Sequence, residues 1–178
     1  PTHKQQVDIN FFNSAGIFVN SKTTVKGSVN EGGIRVPSIA TWPKRIKAGS
    51  KSDHPSTFYD YFATVSDIIG EVPPYAIDGI SYYPILIGEK QKKHEYLYWE
   101  FPAYGGQQAI RINKWKGIKK DLFKGPSELQ LYNLDNDPKE VNNLASNHPE
   151  IVEKMERYMN EAHTEAKNEK FKIPVLDN

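Results

Sequence analysis

Cysteine is absent from the 178 residues. Disulfide bonds, a thiolate nucleophile and thiolate metal ligation are therefore excluded, while the compartment is left open. An excess of charge of one sign is missing too: 23 Lys+Arg face 22 Asp+Glu, a formal net charge of +1. No long-range field draws the chain to nucleic acid or to an anionic membrane, so neither is an expected partner. Lys114, Lys116, Lys119, Lys120 and Lys124 do cluster, but Asp121 and Glu128 interrupt them. They read as a solvated strand edge and loop. No apolar run approaches the roughly 18 residues of a membrane span. Residues 1–30 do not read as a signal peptide, and the chain opens on Pro1 rather than methionine, so a missing signal is uninformative.

What is present is an ordinary globular composition, large enough for one domain with a core or for a lobe plus a smaller subdomain. Residues 1–30 read as loop, interrupted by Phe11-Phe12 and Ile17-Phe18-Val19. Residues 34–42 are short, apolar and bounded by Gly33 and Pro43, which predicts a buried strand, with Pro37 marking an edge or bulge. A helix is expected from about Ser56 to Ile69, capped by Ser56 or Thr57 and ended by Gly70. Phe58, Tyr61, Phe62, Val65, Ile68 and Ile69 recur there at helical spacing and give it a wide apolar face. The charged stretch Glu89–Glu95 is the boundary candidate.

Beyond it the pattern alternates. Leu97, Trp99 and Phe101 share one face of a strand, and Tyr96, Tyr98 and Glu100 the other. Gln108–Lys116 predicts a second strand, with Trp115 on the side of Ala109 and Arg111; Leu129–Leu134 predicts a third. Asp135-Asn136-Asp137-Pro138 ends that strand as a turn. A final amphipathic helix has Asn147 or His148 as cap and Pro149 in its first turn, with Ile151, Val152, Met155, Met159 and Ala162 on one face. Residues 170–178 read as a tail. His54 and His94 read as exposed surface, and Asp60 as a structural carboxylate at the start of its helix.

One stretch carries chemistry. Lys26-Gly27-Ser28-Val29-Asn30-Glu31-Gly32-Gly33-Ile34-Arg35-Val36-Pro37 places a cation in a glycine-flanked loop. Such a lysine can meet an anion, while glycines allow close backbone approach. The wording Lys-Gly-x-x-x-Glu-Gly-Gly-x-Arg-x-Pro resembles the sulfatase signature downstream of the metal site. The resemblance runs on in order. It includes Phe11-Phe12-Asn13-Ser14, Trp42-Pro43, Ile77-Asp78-Gly79-Ile80-Ser81 with Leu86-Ile87-Gly88, Tyr98-Trp99-Glu100, Leu131-Tyr132-Asn133-Leu134 and Asp137-Pro138-Lys139-Glu140. Ala63-Thr64 stands where the family often has Pro-Thr, a departure without chemical consequence.

The resemblance implies an α/β, alkaline-phosphatase-like fold, of which residues 1–88 would be a remnant. Residues 94–178 would form an α+β C-terminal subdomain, a small antiparallel sheet packed on a C-terminal helix. It implies hydrolysis of aryl or carbohydrate sulfate esters by a parent protein that is periplasmic, secreted or lysosomal. Lys26 would hold a sulfate oxygen, and Glu31 and Arg35 would brace its loop. His3, Glu100, Gln107, Gln108 and Arg111 are substrate-pocket candidates. Family members use a formylglycine made in a Cys/Ser-x-Pro/Ala-x-Arg motif, and calcium held by Asp-Asp and Asp-Asn pairs. No formylglycine motif occurs here, and neither pair is present at its family position, the Asp-Asp near the N-terminus and the Asp-Asn just before the region where this chain begins, so no metal is expected on this chain alone. On that reading the chain is a C-terminal portion, beginning just after the metal-binding Asp-Asn-Gly, whose partner is the N-terminal portion. Two other readings stay open: a carbohydrate-binding or interaction module using Tyr96, Tyr98, Trp99 and Tyr104, and a phosphonate or phosphodiester hydrolase of the same superfamily. Residues 94–178 are expected to hold a core of their own, and residues 1–43 to need a neighbour.

Overall fold

The computed structural model describes residues 15–19, 21 and 24–177. In chain order the helices are α1 (Glu31–Ile34), α2 (Asp60–Ile69), α3 (Tyr83–Leu86) and α4 (Pro149–Ala162). The strands are β1 (Leu97–Phe101), β2 (Gln107–Ile112), β3 (Trp115–Lys119) and β4 (Gln130–Asn133). The chain divides into two units: Pro1–Val36 together with Tyr96–Asn178, and Pro37–Glu95. The second boundary falls at the charged stretch. The first falls inside the segment read as a strand, so the loop around Lys26 groups with the C-terminal sheet rather than with residues 37–88.

In the first unit the strands form an antiparallel meander in the order β1-β2-β3-β4. Four strands replace the expected three because Gln108–Lys116 is a hairpin. Ile112 pairs with Trp115 across a two-residue turn, with Asn113 in the left-handed region at φ 52°. Asn tolerates that conformation, but without a following glycine the turn signal is weak. The turn also reverses parity: Trp115 lies with Ile112 on the helix side, not with Ala109 as the uninterrupted strand requires.

The sheet therefore has two distinct faces. Ile110, Leu131 and the partly buried Tyr98 and Ile112 point to α4, where Met155, Tyr158 and Met159 close the core with Leu129. α4 presents the expected stripe, with Pro149 in its first turn and His148 at its N-cap position, although no side chain caps it. Gly117 is where helix and sheet come closest. A Cβ there would stand 2.9 Å from Met155 Sδ and 3.0 Å from Leu129 Cδ1, so a side chain would require Met155 and Leu129 to repack. Residues beyond α4 are not a loose tail. Ile173 is buried, and Asp177 accepts hydrogen bonds from the N–H groups of Ala166 (2.8 Å) and Ile173 (2.6 Å). The opposite face, with Trp99, Phe101, Ala109, Ile118 and Tyr132, packs around Val29.

In the second unit α2 starts at Asp60 and stops at Gly70, φ 74°. The residue at its N-cap position is Tyr59, not Ser56 or Thr57. Its inward residues are Asp60, Thr64 and Ser66, while Phe58, Tyr61, Phe62, Ile68 and Ile69 are exposed. Asp60 is the hub: Oδ2 accepts from Thr57 N (2.8 Å), and Oδ1 accepts from Ile80 N (2.9 Å) and faces His94 Nε2 at 2.7 Å. His94 is thus an inward partner, stacked edge-on against Tyr59, rather than surface. The run 36–42 has no regular structure and is exposed, with Ile39 95% accessible, and is not a strand. An apolar run makes a buried strand only where a neighbour completes its ladder, and Pro37 removes a donor from it.

Candidate functional site

The site is built on the charged, loop-bearing face of the sheet. The chain runs from Thr24 through a turn at Lys26-Gly27 into the short helix α1. Gly32 and Gly33 let α1 lie directly on the preceding turn: a Cβ on Gly33 would sit 2.1 Å from Ser28 O, and one on Gly32 2.6 Å from Thr24 O. The glycine pair is thus demanded by close backbone approach.

The turn is tied to the sheet at its backbone. Gln107, in β2, uses both ends of its amide: Nε2 donates to Gly27 O (3.0 Å) and Oε1 accepts from Val29 N (3.3 Å). Glu140, itself in the left-handed region at φ 56°, reaches the start of α1. Its Oε2 accepts from Glu31 N and from Asn30 Nδ2, each at 2.9 Å. Asn30 Oδ1 in turn accepts from Ser28 Oγ (2.7 Å) and Lys120 Nζ (2.6 Å).

Under the turn lies a buried ion cluster. Lys116, fully buried in β3, donates to Glu31 Oε1 at 2.7 Å and stands 3.8 Å from Glu140 Oε1. Its Nζ also lies 5.1 Å from the centre of the Trp99 ring. Arg35 and Arg111 approach Glu31 Oε2 at 3.4 and 3.6 Å. Lys116 is therefore no solvated strand-edge lysine; a carboxylate from another part of the chain compensates its charge. Burial alone would raise the Glu31 carboxyl, but Lys116, with Arg111 and Arg35, outweighs it and holds the carboxyl below its ordinary 4.5. For Glu140 burial prevails over Lys116 and Asn30, and the carboxyl is pushed up. Its Oε1 has no hydrogen-bond partner among the described residues. Burial likewise pushes the Lys120 ammonium down.

Lys26 sits at the tip of this assembly. Its side chain is exposed and forms no ion pair with any described residue. Tyr104 lies beside the next residue, Gly27: a Cβ there would stand 2.8 Å from Tyr104 Cε2. The arrangement presents an exposed ammonium, unpaired among the described residues, on a turn whose backbone is fixed from below.

The sequence candidates separate between the faces. Gln107, Arg111, Glu31 and Arg35 gather beneath the Lys26 turn, with Arg35 approaching Glu31 at 3.4 Å. Gln107 and Arg111 serve the same bracing; the Arg111 Nε also donates to Asn113 O at 2.9 Å. Glu100 and Gln108 lie on the helix face, in a cluster with Tyr98 and His163. Gln108 Nε2 donates to Tyr98 Oη (2.6 Å), Tyr98 Oη donates to Glu100 Oε1, and His163 Nδ1 faces that carboxylate at 2.6 Å. Burial, and then Glu100, push the Tyr98 phenol upward. His3 and Phe11-Phe12-Asn13-Ser14 lie outside the described residues. Lys116, Asn30 and Lys120 were missed as site residues, and Glu140 was noted only as part of a motif. The Glu140 motif was one available signal, although a carboxylate two residues after Asp-Pro carries no mark of burial in itself.

Comparison with known proteins accords with this geometry. The chain belongs to the family described as N-sulphoglucosamine sulphohydrolase, C-terminal, whose model matches residues 25–165. Steryl-sulfatase of Homo sapiens is 39% identical over 123 residues, covering 61% of this chain and 21% of the human protein. Ulvan-active sulfatase of Formosa agariphila is 30% identical over 173 residues, covering 77% of this chain and 33% of that protein. The crystal structure of Ps i-CgsB superposes with a TM-score of 0.64 at 30% identity, over 74% of this chain and 29% of that one. The chain thus spans about a fifth to a third of the length of these relatives. It is a C-terminal sulfatase portion of alkaline-phosphatase-like kinship, with a small antiparallel sheet packed on a C-terminal helix.

Proposed function

We propose that this chain serves a sulfatase in which Lys26 binds an oxygen of the sulfate ester and neutralises charge as the ester is cleaved. The observation that carries the reading is an exposed ammonium on a turn whose backbone is pinned by Gln107 and whose following helix is pinned by Glu140 and the Lys116–Glu31 pair. Transfer of an anionic group gains most from charges already held in place before reaction, because no reorganisation is then required. Substrate specificity follows the parent, and aryl and carbohydrate sulfates are the classes proposed.

The resemblance implies a calcium ion and a formylglycine. Among the described residues no group of three or more His, Cys, Asp or Glu is placed to hold a metal ion. Both belong, on this reading, to the N-terminal portion of the parent, and the isolated chain hydrolyses nothing. The same portion is the proposed cover for Phe58, Tyr61, Phe62 and Ile69, because an apolar face of this extent is seldom left in water. The family match favours sulfate esters over a non-catalytic glycan-binding module and over phosphonate or phosphodiester hydrolysis.

The test is release of inorganic sulfate from an aryl sulfate and from a 6-O-sulfated glucosamine, by the full-length protein and by residues 1–178 alone. Turnover by the full-length protein only is expected. Turnover by the isolated chain, or preference for a phosphonate monoester over both sulfates, contradicts the proposal.

A further inference from the structure

Tyr104 is an unusual residue for its place. It is 76% accessible although large and aromatic, and its backbone is left-handed at φ 49°. That conformation is unfavourable for a residue with a Cβ, and the two residues that follow, Gly105 and Gly106, share it with φ 92° and 75°. The turn is not loose. Gly106 N donates to Ala103 O (3.2 Å), Phe123 N to Gly105 O (2.9 Å) and Leu122 N to Gly106 O (3.2 Å). A side chain on Gly105 would meet Asp121 Oδ1 at 3.1 Å. The ring is fixed as well: it stacks on Phe101 with centroids 6.0 Å apart and planes 23° from parallel. Its Cε2–Cδ2 edge rests over Gly27, the residue following Lys26. A strained, tied-down turn thus holds a rigid aromatic open to solvent over Gly27, the residue that follows the exposed Lys26 in the chain. Strain of this kind persists where the surroundings enforce it, and points to use rather than to packing.

We infer that Tyr104 is the platform against which the ring bearing the sulfate group rests while Lys26 holds the sulfate. The inference rests on the proposed function and adds the contact that selects the alcohol half of the ester. The chemistry recognised is an apolar ring face attached to an anionic ester, whether a pyranose or an aryl ring. The ring lies over Gly27, and adjacent α-carbons are only about 3.8 Å apart, so the platform and the backbone that carries Lys26 are neighbours on one turn. Tyrosine suits such a contact because its flat body is apolar and its hydroxyl stays hydrated. Gly27 is part of the device, since a side chain there would displace the ring.

The experiment is steady-state kinetics of the full-length protein with an aryl sulfate, a 6-O-sulfated glucosamine and a ringless alkyl sulfate, comparing wild type, Tyr104→Phe, Tyr104→Ala and Tyr104→Gly. Tyr104→Ala is expected to raise KM about threefold to tenfold for ring-bearing substrates, the usual worth of an aromatic contact, with kcat little changed. The alkyl sulfate should respond to none of the substitutions, and Tyr104→Phe should behave as wild type. Tyr104→Gly should raise KM as Tyr104→Ala does while keeping or raising the melting temperature, since it relieves the left-handed residue. A KM effect on only the aryl or only the sugar substrate identifies which ring the platform takes. Unchanged KM on both ring-bearing substrates, or equal losses on the alkyl sulfate, overturns the platform and leaves the sulfatase reading standing. No turnover of any sulfate ester by the wild type overturns both.

Discussion

The two units solve the burial problem in opposite ways. In the sheet unit apolar residues are inside: Ile110, Leu131, Met155 and Met159 are almost inaccessible. Where polar groups go inside with them, as Lys116 and Glu31 do, they compensate one another. In the Pro37–Glu95 unit the amphipathic helix is turned about. Asp60 and Thr64 are buried and Phe58, Tyr61 and Ile69 are exposed. The helix of each unit obeys its sequence pattern; what differs is whether the chain supplies the surface that the apolar stripe needs. Hydrophobic periodicity reports a face that will be covered, not what covers it.

The largest expected effect breaks the sheet unit without touching the other. Lys116→Met leaves Glu140 buried without its cation and Glu31 with only Arg35 and Arg111 at 3.4 and 3.6 Å, and losing one partner of a buried ion pair costs about 3–5 kcal/mol. Calorimetry of the chain should show a lower Tm. Hydrogen exchange should accelerate across β1–β4 and α4 while α2 amides keep their protection. Loss of protection in both units to the same extent contradicts their energetic independence.

Asp60→Ala is the reciprocal change. It removes the acceptor for Thr57 N, Ile80 N and His94, and buried groups left unsatisfied cost about 1–3 kcal/mol. Exchange should quicken from residue 57 to residue 82, with the α4 amides unaffected.

Smaller still is a pH effect confined to the sheet unit. The Glu31 carboxyl is held below 4.5 in the fold. Its contribution is therefore complete above the ordinary value and is lost as pH falls through the lowered one. Glu140 has the opposite sign: its raised carboxyl takes up a proton first, which favours the fold as pH falls. The gap in Tm between wild type and Glu31→Gln should be full at pH 7 and close in acid below that ordinary value. A gap that widens in acid contradicts the sign.

The smallest effect concerns the exposed stripe. Phe62→Ser and Ile69→Ser should change the stability of residues 1–178 by less than about 0.5 kcal/mol, as surface substitutions do. The same changes should lower the Tm of the full-length protein. Equal effects in both would mean that the stripe is already covered here.

Much of this was legible in the sequence, and the failures have physical causes. Alternation placed Leu97, Trp99 and Phe101 on one face, and helical spacing placed Met155 and Met159 in the core. The hairpin at Asn113 was hidden because Lys114 stands where glycine would have announced it. Lys116 looked solvated because it lies among other lysines, while its partner Glu31 is 85 residues away. The strand expected at 34–42 failed because an apolar run does not say whether a neighbouring strand is present. The approach of Arg35 to Glu31 at 3.4 Å is a one-turn contact, and that spacing is local and visible in the sequence. Gln107 was singled out for substrate, yet its amide is spent on the Lys26 turn; nothing local distinguishes these roles.

The central claim is that the network beneath residues 26–31 exists to hold Lys26 against a transferring sulfate. The most direct measurement is the rate of sulfate-ester hydrolysis by full-length Lys26→Ala, set beside its melting temperature. Turnover should fall about 100- to 1000-fold, as when one preorganised charge-stabilising group is removed, with Tm unchanged because an exposed side chain outside the core contributes little to stability. Wild-type turnover, or a loss matched by unfolding, would remove Lys26 from the chemistry.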